Sequence, residues 1–170
     1  KCRFNVEVCS REAGPLGIDS VEFNLSSNIG EDPLPINRIA SGGELSRLAL
    51  ALKSISNVDV YSKSLIFDEI DAGIGGRTAS AVASKLVGVS RGHQVLCVTH
   101  IAQIAAFADL HFHVSKVPVQ GRTEVRILKL ETEERKVELA RMLAGDQVSK
   151  TSLMQAAELL ETGIRLRTVS

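Results

Sequence analysis

Hydrophobic and polar residues alternate strictly over residues 3–9, with Phe4, Val6 and Val8 on one side and Asn5 and Glu7 on the other. The same period of two recurs at Val21, Phe23 and Leu25, set against Glu22, Asn24 and Ser26. Successive strand side chains point to opposite faces, so both runs predict strands with one apolar and one wet face. Gly14-Pro15 and Gly17 lie between them and predict a turn, hence an antiparallel pair. Two prolines and a glycine within residues 28–37 predict a loop.

The period then lengthens. Leu45, Leu48, Ala49, Leu52 and Ile55 recur at helical spacing, predicting a helix that opens at Ser41, packs these residues inward and closes at residues 57–59. Val60 and Tyr61 lead into the apolar run Ser64-Leu65-Ile66-Phe67, which reads as a buried parallel strand. A second helix is predicted after Gly75-Gly76, with Ala79, Val82, Ala83 and Leu86 as its buried stripe. Residues 94–99 give the next strand, ending at His100, and residues 101–108 a short alanine-rich helix. Residues 111–115 and 123–130 predict two more strands, with Gln120-Gly121 at a turn between them.

The remainder is helical. Thr132 is the expected N-cap of a helix burying Val137, Ala140 and Leu143 and stopped by Gly145. Ser149 or Thr151 is expected to cap a last helix with Leu153, Ala157 and Leu160 on its apolar face. Alternation of strand and helix from residue 41 to 115 predicts an α/β fold, a mostly parallel sheet flanked by helices, with the antiparallel pair added at the N-terminal end. With 170 residues and 44% hydrophobic side chains, the whole of 1–170 is expected to form one lobe with its own core.

Charge narrows the function classes. Twenty basic and twenty acidic residues cancel, so no overall basic field points to nucleic acid. Arg38, Arg47, Lys53 and Arg77 read as a solvated helix surface rather than a basic patch. The three cysteines, Cys2, Cys9 and Cys97, lack zinc-site spacing, and Cys97 reads as a buried thiol. An odd count without a framework fits a reducing cytoplasm. No run is long and apolar enough for a signal peptide or membrane span. The first residue is Lys, which suggests a piece of a longer protein.

Three motifs carry candidate chemistry. Ser41-Gly42-Gly43-Glu44 starts a helix, where exposed backbone N–H groups attract anions and glycines allow close approach. Asp68 and Glu69 follow a strand, where one acid can hold Mg²⁺ and its neighbour can orient an attacking water. His100 ends the next strand, placed to contact a phosphate. Each alone has an ordinary reading: a capped helix, a solvated strand end, a structural histidine. No role is assigned to His93, His111 or His113.

Their order and spacing resemble the C-terminal half of an ATP-binding-cassette ATPase head. In that resemblance Ser41, Gly42, Gly43 and Glu44 form the signature motif, residues 65–69 the Walker B strand, and His100 the switch histidine. Ile70-Asp71-Ala72 after the acids, where transport ATPases carry proline, resembles the chromosome-maintenance and DNA-repair branch. The strings 39–47, 67–77 and 94–103, with Ala140-Arg141-Met142-Leu143, are similar to the RecN family of bacterial DNA-repair proteins. Gly75 stands where many cassette ATPases carry aspartate.

The resemblance implies the C-terminal lobe of a P-loop NTPase head with ATP and Mg²⁺ as cofactors. Asp68 would bind the metal, Glu69 would polarise water, and His100 would contact the γ-phosphate. No glycine-rich loop ending in Gly-Lys-Ser or Gly-Lys-Thr occurs among these residues. The implied partners are therefore the N-terminal Walker A lobe of the same protein, a second copy of the head, and DNA through the full-length protein, with no membrane. The lobe is expected to have a vacant sheet edge beside the strand ending at Thr99, and the chain alone to be inactive. The implied setting is double-strand-break repair and recombination at the nucleoid in the bacterial cytoplasm. The alternatives are a non-catalytic interaction module or the same lobe of another SMC-like or cassette protein.

Overall fold

A computed structural model describes residues 3–26, 30, 32–38, 41–55 and 61–168. Cys2, Ile39, Ala40, Val60, the helix end at 57–59 and parts of the 28–37 loop lie outside these residues.

Strands β1 (Arg3–Gly14) and β2 (Gly17–Ser26) form the expected antiparallel hairpin, with Val6 opposite Phe23 and Val8 opposite Val21. The turn is Pro15-Leu16, and Gly17 takes a φ of +98°, which glycine adopts at no steric cost. Both strands run further toward the turn than their strict alternation suggested, across an irregularity between Ser10 and Gly14. Phe4 and Phe23 stack with ring centroids 5.9 Å apart. The expected apolar face is nevertheless uncovered: Phe4, Val6, Val8, Val21 and Phe23 are each 45–61% exposed. Part of the expected loop is ordered as strand β3 (Leu34–Pro35), which pairs with β2 through Leu25 and Leu34. Proline is tolerated there because the strand lies at a sheet edge.

Helix α1 (Gly42–Ile55) follows, then strand β4 (Ser64–Phe67), helix α2 (Gly76–Ser90) and strand β5 (Gln94–Cys97). Strands β4 and β5 are adjacent and parallel, with Phe67 opposite Cys97, so the 64–97 segment is one β-α-β unit. The α2 stripe is as expected: Ala79, Val82, Ala83 and Leu86 are all buried. Leu65, Phe67, Val95 and Cys97 point into this core, while Ile66, Leu96 and Val98 on the other face are 72%, 47% and 61% exposed. The strand read as buried on both faces is covered on one. Its apolar outer side chains meet no second layer among the described residues.

The inward face of α1 also differs from expectation. Gly43 and Leu50 are its buried residues, whereas Leu45, Leu52 and Ile55 are 40%, 50% and 75% exposed. The helix docks through its Gly43 side, because Arg47 on that side is drawn to backbone carbonyls of the loop after β4. The leucine stripe is thereby turned outward.

Helix α3 (Ala102–Ala105) is shorter than the alanine-rich segment suggested, and the chain continues as turns to Ala108. Strands β6 (His111–Val119) and β7 (Arg122–Leu130) pair antiparallel, separately from the parallel pair. Helix α4 (Thr132–Ala144) is capped by Glu131 rather than Thr132. The Glu131 N–H donates to the Glu134 carboxylate at 2.8 Å, and the Glu131 carbonyl accepts the first helical bond from Arg135. Leu139 and Ala140 are buried and Gly145 ends the helix with φ +75°, but Val137 is 51% exposed.

Helix α5 (Lys150–Thr168) is capped by Ser149, whose hydroxyl accepts from the Ser152 N–H at 3.1 Å. It packs on the α3 turn through Gly163, where an added Cβ would lie 2.5 Å from the Ala106 carbonyl oxygen. Guanidinium groups close that turn. Arg167 donates to the Phe107 and Ala108 carbonyls, and Arg135 donates to Ala108 and Asp109. Two cations thus satisfy carbonyls that the short helix leaves without partners. The core runs from Phe67 and Ile70 through α2 and α3 to Leu139, Ala156 and Leu160.

Candidate functional site

The carboxyl ends of β4 and β5 define the site. The ladder continues past the strands, since the Val98 N–H donates to the Phe67 carbonyl at 2.9 Å. Asp68 and Glu69 therefore leave one strand beside the point where Thr99 and His100 leave its neighbour. In open α/β sheets this is where ligands bind. Asp68 and Glu69 are exposed, and one Asp68 oxygen accepts the Glu69 N–H at 2.8 Å. Glu69 takes a φ of +56°, unusual for a residue with a side chain. That twist swings its carboxylate over the start of α1, where a Cβ on Gly42 would overlap it.

The start of α1 is pinned to the same loop. Ser41 caps the helix as expected: its hydroxyl accepts from the Glu44 N–H at 3.4 Å and its carbonyl from the Leu45 N–H at 3.2 Å. Gly42 is exposed, but Gly43 is buried. A Cβ on Gly43 would stand 2.7 Å from the Glu69 carbonyl and 2.8 Å from the Ala72 Cβ. Glycine at 43 thus serves close packing within the chain. The Ser46 hydroxyl donates to the Asp68 carbonyl at 2.7 Å. Arg47 donates to the Ile70 carbonyl at 3.1 Å and the Ala72 carbonyl at 2.8 Å. Arg47 is accordingly a structural clamp, not part of the solvated helix surface that the sequence suggested.

Asp71 is the group that sequence reasoning undervalued, reading it at most as a helix or loop cap. It is 4% exposed, and one of its oxygens takes three donors. These are the Thr99 hydroxyl at 2.6 Å, the His100 N–H at 2.8 Å and His100 Nδ1 at 2.9 Å. Burial pushes its pKa up, but those hydrogen bonds and the nearby imidazole outweigh it and hold the carboxyl below its ordinary value. The Thr99 hydroxyl also accepts from the Ile101 N–H at 3.1 Å, which fixes its rotamer. The signal available in the sequence was an acid in the loop after one strand and a hydroxyl at the end of the next.

Cys97 lies under the site, its thiol pushed up to about 12 by burial and by Asp71 and Asp68. It is a protonated packing group, as the sequence suggested. Among the described residues no cluster of three His, Cys, Asp or Glu side chains is arranged to hold a metal. Asp68 as a single exposed carboxylate nevertheless suits Mg²⁺, which keeps water and substrate phosphate in most of its coordination positions. His113 lies elsewhere, with Nδ1 3.3 Å from Glu138 in a groove between β6 and α4, apart from the three motifs. Among the described residues no helix is long and apolar enough to cross a membrane.

The sequence is similar to DNA repair protein RecN of Treponema pallidum, 50% identical over 173 residues and covering 97% of this chain. RecN of Bacillus subtilis is 45% identical over 177 residues, also covering 97%, and RecN of Vibrio cholerae is 45% identical over 162 residues, covering 94%. The chain spans about 30% of the length of these relatives. A solved chain from work on ATP-driven dimerization and DNA-stimulated activation of SMC ATPases is 21% identical, with a TM-score of 0.49, covering 84% of this chain and 83% of that one. No family model matches.

Proposed function

We propose, from the premise that this chain is a RecN-type sequence over nearly its whole length, that it is the C-terminal half of an ATPase head acting in DNA double-strand-break repair and recombination. The observation that carries the reading is the placing of Asp68-Glu69 and Thr99-His100 at the ends of adjacent parallel strands, with the α1 start bonded to the same loop. Residues 1–170 form its C-terminal lobe. The missing phosphate cradle comes from an N-terminal lobe of the same protein. The bare outer face of β4 and β5, with Ile66, Leu96 and Val98, supports a missing layer of that kind. So does the lack of a further strand beside this two-stranded sheet among the described residues.

In the assembled head the Asp68 carboxylate would hold Mg²⁺, which would supply charge neutralisation at the transferring phosphate. Glu69, exposed and able to rotate away from Gly42, accepts a proton from the attacking water. His100 offers its exposed imidazole edge to the γ-phosphate. Ser41, Gly42, Gly43 and Glu44 present the α1 start to ATP held by a second copy of the head. Engagement then follows ATP binding and release follows hydrolysis, with DNA handled by the full-length protein in the bacterial cytoplasm.

The test is ATP turnover by this chain alone and mixed with the segment of its parent protein that carries the glycine-rich loop. Turnover in the mixture alone, abolished by Glu69→Gln with ATP binding retained, is expected. A stable but inactive mixture would favour an interaction module that kept the fold without the chemistry.

A further inference from the structure

The geometry points to Asp71 as a positioning residue for His100: its buried carboxylate oxygen keeps the imidazole in the Nδ1–H form and turns Nε2 outward. The inference about the reaction rests on the ATPase reading above, but the inference about the imidazole does not. His100 is 79% exposed at its side chain, so packing alone does not set its ring. What holds the ring is the 2.9 Å contact from Nδ1 to Asp71, whose own side chain is 5% exposed. An ionised carboxylate accepts and cannot donate, so the nitrogen facing it must carry the proton. Nε2 is then a lone-pair nitrogen on the neutral ring, and it can donate to a phosphate oxygen only when the ring is charged. The partner of one ring nitrogen fixes the state of the other.

The rest of the neighbourhood immobilises Asp71. Thr99 and the His100 backbone N–H bond the same oxygen, so the carboxylate cannot turn without giving up three bonds. The carbonyls on either side of it, those of Ile70 and Ala72, are both held by Arg47 from α1. The Asp71 carbonyl accepts from the Ile74 N–H at 3.3 Å. A displacement at the start of α1 therefore reaches the imidazole through one short chain: Arg47, the 70–72 backbone, Asp71, His100. An ordinary capping role would satisfy backbone N–H groups and leave the exposed ring alone. Here the ring is one of the three donors.

The experiment reads the imidazole nitrogens directly. In the ¹⁵N-labelled chain, held well above the histidine titration range, two-bond ¹H–¹⁵N correlation of His100 should show a protonated Nδ1 and an unprotonated Nε2. His100→Gln assigns the signals. Asp71→Ala should shift the ring toward the Nε2–H form. Asp71→Asn, which can keep an oxygen before the same three donors, should restore Nδ1–H. A wild-type ring already in the Nε2–H form overturns the proposal without any variant having to fold. So does an Asp71→Ala ring that stays Nδ1–H. In the assembled head, Asp71→Ala should lower kcat about tenfold or more with KM for ATP little changed, and Asp71→Asn should recover part of it. An unchanged kcat beside a shifted tautomer would overturn the positioning role. A wild-type head without turnover would instead overturn the ATPase reading and leave the imidazole result standing.

Discussion

Two glycines inside helices make a matched test of the packing, because the same substitution should have opposite signs. Glycine in a helix interior costs about 1 kcal/mol relative to alanine, through the entropy of the unfolded chain. At Gly88, in α2, an added Cβ meets nothing within 4 Å, so Gly88→Ala should stabilise by about 0.5–1 kcal/mol. At Gly163, in α5, the Cβ would stand 2.5 Å from the Ala106 carbonyl oxygen and 3.1 Å from the Phe107 Cα. Both are backbone atoms of the α3 turn, and that turn is held by Arg135 and Arg167. It cannot yield as a side-chain tip would. Overpacking of this kind costs about 1–3 kcal/mol, which outweighs the helical gain. Gly163→Ala should therefore destabilise by about 1 kcal/mol, and a bulkier residue by more. Urea unfolding of both variants against the parent chain measures the difference, at equal slopes. A Gly163→Ala midpoint that rises with that of Gly88→Ala would refute the close α5–α3 contact.

Arg47→Ala should destabilise the chain by about 2 kcal/mol, because two backbone carbonyls lose a charged donor; an unchanged urea midpoint would remove the clamp from the account. Stability should fall as the pH drops below 6.5. Burial and the neighbouring Arg135 hold the His111 pKa below that ordinary value, so the unfolded chain takes up the proton first. His111→Phe should flatten this limb of the urea midpoint plotted against pH. A second loss should begin below about 4.5, where the unfolded chain protonates Glu138, whose folded pKa is lowered chiefly by hydrogen bonds from Arg141. Glu138→Gln should reduce that limb, and the same acid loss persisting in the variant would assign it elsewhere. Cys97 should resist iodoacetamide at pH 8, where a thiol titrating near 12 is only ~0.01% thiolate, while exposed Cys9 alkylates readily. Peptide mapping showing equal labelling of the two would contradict the burial of Cys97.

The elements were legible where pattern and partner lie close in sequence. The 3–26 hairpin follows from its own alternation and a local turn, the α2 stripe from its own period, and the Ser41 cap and Gly145 stop from bonds within four residues, and each is present. The misread faces have another cause. Periodicity reports which residues are apolar, but not which of two apolar faces a given piece of chain can cover. Leu45, Leu52 and Ile55 on α1 and Ile66 on β4 were read as core, yet all are exposed in this chain. The relatives that this chain matches are more than three times its length, and in the reading proposed above these bare apolar faces are where a further layer would pack.

The site divides in the same way. The placing of Asp68, Glu69 and His100 at the ends of neighbouring strands was legible, because strand period and residue type suffice to put them there. Asp71, Thr99 and Arg47 were not, since their roles lie in contacts across 23 to 28 positions of sequence. Glycine 43 shows how one motif can carry two demands. Its missing side chain was read as room for a ligand, and the fold uses that room for the Glu69 carbonyl. The two uses are compatible only because the contact is made on the buried side of the helix start, leaving Gly42 exposed toward whatever approaches. A larger residue at 43 would push α1 off the loop that carries both acids and the Asp71–His100 pair. The helix start, the acids and the histidine are thus tied to one loop by a few short hydrogen bonds.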